Sequence, residues 1–104
     1  MEADNGRIVV HIDPDIEDLI PGFLENRRKD MATITEALHV EDYETIQRMG
    51  HSMKGAGGGY GFDEITDIGM RMETAAQDED RDEILGQVQA LSDYLERVVI
   101  VYDA

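Results

Sequence analysis

The chain has 104 residues, no cysteine, and 24 acidic against 9 basic residues, for a formal net charge of −15. That length supports one hydrophobic core, and the missing cysteine excludes disulfides, thiolate nucleophiles and cysteine-built zinc sites. A 41% hydrophobic share sets the chain apart from a disordered tail, while its acidity makes nucleic acid and anionic membrane poor partners.

No stretch approaches the roughly 18 apolar residues of a membrane span. The opening Met1-Glu2-Ala3-Asp4-Asn5 lacks the basic and apolar regions of a signal peptide. A cytoplasmic protein is the default expectation. No repeat, low-complexity tract or long linker divides the chain, so residues 1–104 read as a single domain.

Arg7-Ile8-Val9-Val10-His11-Ile12 is short, apolar and β-branched, and reads as an extended arm or isolated strand. Asp13-Pro14-Asp15 supplies a turn and a helix-start signal for one to two turns ending near Leu19-Ile20. Arm and short helix together occupy residues 7–20. Pro21 suits the first position of a new helix, where a missing N–H is no loss. Phe23, Leu24, Arg27, Met31, Ile34 and Leu38 continue it as an apolar stripe with one arginine stem, ending near His39-Val40.

Asp42 begins the next helix, whose inward face is Tyr43, Ile46, Met49, Gly50, Met53, Gly57 and Tyr60. Gly57-Gly58-Gly59 and Gly61 weaken and close it. A further helix starts near Phe62-Asp63 and turns Ile65, Ile68, Met72, Ala75 and Ala76 inward. Asp80 with Glu83 resembles a capping box. The last helix carries Ile84, Leu85, Val88, Leu91, Leu95, Val98 and Val99 at three- and four-residue spacings, with a β-branched tail through Tyr102 able to fray or turn extended. Four amphipathic helices joined by short loops pack most simply as an all-α, antiparallel up-down four-helix bundle over about 21–101, preceded by a short N-terminal helix and an extended arm.

His51 lies opposite the inward face of its helix, among Glu44, Gln47, Arg48, Gly55 and Gly58. An exposed imidazole has a substantial neutral fraction at cellular pH, and its free nitrogen is a nucleophile. Lys54, one turn on, is a mobile cation able to reach anionic oxygens attached to that ring. Glycine inside a helix costs on the order of 1 kcal/mol relative to alanine, and the physical return for Gly55 and Gly58 is access by a large partner to the ring. These neighbours favour a phosphorylatable imidazole over a passive surface histidine.

The stretch His51-x-x-Lys54-Gly55, with Gly58 and Gly61 beyond it, resembles the signature of histidine-containing phosphotransfer (HPt) domains, and the helix pattern matches that fold over roughly residues 12–100. The resemblance implies a phosphorelay carrier: His51 accepts a phosphoryl group from a receiver-domain aspartyl phosphate, or from a sensor histidine kinase, and passes it to another response-regulator receiver. It implies Lys54 as phosphate stabiliser and Gly55 as the small residue that permits docking. It further implies no cofactor of its own, with Mg²⁺ carried by the partner receiver, and a monomer. Gly58 is expected, with Gly55, to leave the docking face clear, and Gln47 and Arg48 are the expected rim contacts. Where small residues such as serine or alanine often follow the Lys-Gly pair in the family, three of the next four residues here are glycine.

Other chemistry is poorly supported. G-x-G-x-x-G fails because Tyr60 falls at its third glycine, and no Walker motif or kinase glycine loop is present. A metal site using His51 with Glu44 or Gln47 is opposed by the nearby Lys54 cation. His11 and His39 have no partner at useful spacing. The acidic run Asp78–Glu83 lacks the glycine of a calcium loop. No paired acid and base indicates independent catalytic turnover. The competing reading is a helical protein–protein interaction module without phosphotransfer.

Overall fold

The computed structural model describes residues 6–103. Met1–Asn5, on which the signal-peptide reading rests, and Ala104 lie outside the described residues. In chain order the elements are β1 (Ile8–Ile12), a 3-10 segment (Pro14–Leu19), α1 (Ile20–His39), α2 (Tyr43–Tyr60), α3 (Asp63–Gln77), α4 (Arg81–Arg97) and β2 (Val98–Tyr102). Consecutive helices are neighbours, and α1 also packs on α4, which closes the expected four-helix bundle.

Local chemistry sets the helix ends. Pro21 lies in the first turn of α1. The Asp42 carboxylate caps α2, accepting from the Thr45 amide at 3.2 Å and the Thr45 hydroxyl at 2.6 Å. Those bonds, the hydroxyl's first, hold the Asp42 carboxyl below its ordinary range. At the other end of α2, Gly61 adopts φ 89°, a left-handed conformation that side chains disfavour. The turn sends the Phe62 amide back to the Gly57 carbonyl at 2.8 Å and drops Phe62 into the core, where it stacks on Phe23 with ring centroids 5.1 Å apart. Arg27 lies over the other aromatic partner of this group, its guanidinium carbon 4.7 Å from the Phe23 ring centre, which explains an arginine within an apolar stripe.

The capping box forms only in half. Asp80 accepts from the Glu83 amide at 3.1 Å, but the Asp80 amide bonds the Ala75 carbonyl at 2.9 Å, and the Glu83 carboxylate accepts from Gln87 at 2.8 Å. The inward residues expected of α3 are all buried. On α4, Ile84, Leu91 and Leu95 are buried as expected, Leu85 is exposed, and Tyr94 takes a core position that the aliphatic spacing passed over.

The clearest departure is at the chain's two ends. Val98 and Val99 match helical spacing, yet α4 stops at Arg97 and Val98 turns extended with ψ 134°. Residues 98–102 form a strand parallel to β1, in register from Ile8 opposite Val98 to Ile12 opposite Tyr102. The expected arm is therefore one half of a two-stranded sheet. Ile8, Val10, Ile12, Val98, Ile100 and Tyr102 pack toward the core, while Val9, His11, Val99 and Val101 face outward. β-Branched side chains favour this pleated geometry over continued helix. His11 does have a partner: its Nδ1 lies 3.0 Å from the Asp103 carboxylate.

Candidate functional site

The site depends on how closely α2 and α3 approach. A Cβ on Gly50 would lie 2.7 Å from the Glu73 amide nitrogen and 2.8 Å from the Gly69 carbonyl oxygen. One on Gly69 would lie 2.5 Å from the Lys54 amide nitrogen. Gly57 leaves similar room for Thr66, whose hydroxyl donates to the Lys54 carbonyl at 3.1 Å. The two backbones are thus in contact along the centre of both helices, at a spacing that any side chain at Gly50 or Gly69 would prevent.

That approach brings Glu73 of α3 between two residues of α2. Its Oε2 is 3.1 Å from His51 Nδ1, and its Oε1 accepts from Lys54 Nζ at 3.1 Å. The His51 side chain is 70% exposed, Lys54 37% and Glu73 18%, so the ring stands in solvent on a half-sheltered ionic base. The bond from Lys54, then the one from His51, hold the Glu73 carboxyl below its ordinary range against the opposing effect of burial. An ionised carboxylate can only accept. The His51 Nδ1 therefore carries the hydrogen, and in the neutral form of the ring the lone pair lies on Nε2.

An open depression of about 480 Å³ beside the ring is lined by Glu44, Gln47, Arg48, His51, Ser52 and Glu73. Gln47 and Arg48 thus adjoin the imidazole, and Arg48 is also tied to Glu44 at 3.7 Å. Gly55 and Gly58 do not line this depression. A Cβ on Gly55 would meet nothing within 4 Å, and one on Gly58 would meet only the Thr66 hydroxyl at 3.7 Å. Both face outward, a helical turn or two along from His51. The α2 glycines therefore divide by face: Gly50 and Gly57 admit α3, whereas Gly55, Gly58 and Gly59 leave the surface bare. Among the described residues no group of three or more His, Asp or Glu is placed to hold a metal ion, and the carboxylate nearest His51 is occupied by Lys54.

Sequence reasoning missed Glu73, Gly69 and Ser52. The available signal was Gly69, a glycine inside an otherwise regular helix, with Glu73 one turn later on the same side. Pairing that turn with His51, 22 residues away, requires knowing which helix faces meet.

The Hpt domain family model matches residues 18–99. The chain belongs to the HPt domain family, whose general activity is histidine phosphotransfer in phosphorelays. Comparisons with curated proteins and with solved structures return no match. No helix among the described residues is long and apolar enough to cross a membrane.

Proposed function

We propose that His51 is the phosphoryl carrier of this domain and that its partners are response-regulator receiver domains, a sensor histidine kinase, or both. The observation that carries this reading is the exposed imidazole whose Nδ1 is engaged by Glu73 and whose Nε2 has no hydrogen-bond partner among the described residues. In the proposed step the Nε2 lone pair attacks the phosphorus of a receiver's aspartyl phosphate. The P–N bond forms as the acyl P–O bond breaks, and the receiver recovers its carboxylate. Positive charge develops on the ring as its lone pair is consumed, and the Glu73 carboxylate beside Nδ1–H offsets it. Transfer to the next receiver reverses the bond changes.

Lys54 is assigned to the phosphoryl oxygens. Its ammonium is already 3.1 Å from Glu73, and its flexible stem allows it to exchange that carboxylate for a phosphoryl group beside the ring. Gly55 and Gly58 are assigned to docking, with Gln47 and Arg48 as rim contacts. Phosphoryl transfer relies mainly on positioning and charge neutralisation, so the receiver would bring Mg²⁺ and its own acidic cluster while this chain presents a fixed nucleophile. Incubation with a receiver charged by a small-molecule phosphodonor tests the reading. The expected result is a receiver-dependent gain of one phosphate on this chain, lost on acid treatment as a phosphohistidine would be; no transfer from any receiver or kinase of the same genome would favour an interaction module instead.

A further inference from the structure

The relay makes no use of the two-stranded sheet. Among the described residues, the backbone of β2 is paired only with β1, leaving its other edge without a strand. Parallel sheets are ordinarily covered on both faces, and two strands alone are marginal. Here the outward face presents Val9, Val99 and Val101, which are 52%, 37% and 38% exposed. Protein edges are usually guarded by charges within the strand. β2 has none: Val98-Val99-Ile100-Val101-Tyr102 is uncharged, with Arg97 immediately before it and Asp103 immediately after.

We propose that the β2 edge pairs with the β2 edge of a second copy of this chain, joining two small sheets into one of four strands about a two-fold axis at Ile100. In that antiparallel register Val98 faces Tyr102 of the second copy and Val99 faces Val101. Arg97 faces Asp103, and by symmetry the same charge pair forms again at the other end. Both side chains are accessible, at 44% and 61% exposure, although each must exchange present partners to pair across the edge: Arg97 donates to Asp93 and to the Gly6 carbonyl, and Asp103 meets His11. A slip of one residue sets an inward side chain opposite an outward one, and a slip of two leaves both charges opposite valine or nothing. The sequence is thus self-complementary in one register.

The pairing leaves the candidate carrier open. Ile12 of β1 lies against Gly61 at the end of α2, and His51 is ten residues back along that helix, about 15 Å away. Each copy carries a net charge of −15, so two copies repel through space. Added salt screens that repulsion and should strengthen association. The proposal departs from the monomer that the family resemblance implies.

Sedimentation velocity on the full chain, from about 1 µM to about 1 mM, covers the range expected of a small interface. The expected result is a mass that doubles with concentration, more readily at high salt. Val101→Lys should weaken association about tenfold or more by placing a charge in the paired strands, with helix content unchanged by circular dichroism. Asp103→Arg should weaken it by placing like charges opposite each other, and Arg97→Asp combined with Asp103→Arg should restore it. This exchange tests the register even if the lysine variant fails to fold. A single-copy mass across the whole range overturns the proposal, as does a doubled mass indifferent to both Val101→Lys and Asp103→Arg.

Discussion

Glu73 Oε2 stands 3.1 Å from His51 Nδ1, linking the second half of α3 to the middle of α2. The relationship gives a surface histidine a defined tautomer and an orientation, two things that an isolated ring on a helix lacks. It exists because Gly50 and Gly69 let the helices touch. Packing at the back of α2 therefore sets chemistry at its front.

Glu73→Gln should slow phosphoryl acceptance roughly tenfold to a hundredfold, by analogy with the loss when a carboxylate that orients a metal-bound histidine is removed. The helices should remain folded. Nitrogen NMR of the His51 ring distinguishes orientation from mere scaffolding: the native ring should show hydrogen on Nδ1, and the variant a mixture of tautomers. An unchanged tautomer with an unchanged rate would remove Glu73 from the mechanism.

Lys54→Ala should reduce the transfer rate while leaving the melting temperature close to native, since Lys54 is partly exposed and its loss opens no core cavity. Lys54→Arg keeps the charge but replaces a mobile point donor with a planar fork; partial recovery of the rate is expected. Comparing single-turnover transfer with thermal melts separates the two effects.

The glycines should respond according to the face they occupy. Gly69→Ala places a methyl group against the Lys54 backbone and should destabilise the fold by about 1–3 kcal/mol, as overpacking does. It should also disturb the His51–Glu73 pair. Gly55→Ala enters open space and should stabilise α2 by roughly 1 kcal/mol. Gly55→Leu should keep most of that gain yet impede receiver docking. Chemical denaturation and transfer rates on the same three variants check both halves of the argument.

The pH dependence of stability follows from Glu73. Its folded-state pKa is lowered from an ordinary 4.5, so ionisation favours the folded chain. That contribution is present above 4.5 and is lost as pH falls through the depressed folded value. The melting-temperature difference between the native chain and Glu73→Gln should accordingly be present at neutral pH and shrink to nothing in stronger acid. A difference that persisted there would assign the stability effect to packing and not to charge.

Much of this fold is legible because its signals are local. Pro21, Asp42, Gly61 and Asp80 mark helix ends through chemistry within a few residues of each, and three- and four-residue spacing separates the His51 face of α2 from its buried face. What escaped is non-local. β1 and β2 are about 90 residues apart, and nothing within either apolar run states which partner it takes. Val98 and Val99 fit the α4 stripe as well as they fit a strand, so spacing alone could not place the boundary. Glu73 was hidden for the same reason: its partner lies on another helix, and of the two glycines that bring the helices together, Gly50 read only as one position of the inward face of α2 and Gly69 drew no reading.

The central claim is tested most directly by His51→Gln. A phosphorylated receiver that transfers phosphate to the native chain should transfer none to this variant, while helix content and melting behaviour stay near native, because the side chain is largely exposed. Phosphate should map to His51 in the native chain. Undiminished, acid-labile phosphorylation of the folded His51→Gln protein would contradict the account and move the carrier to another residue.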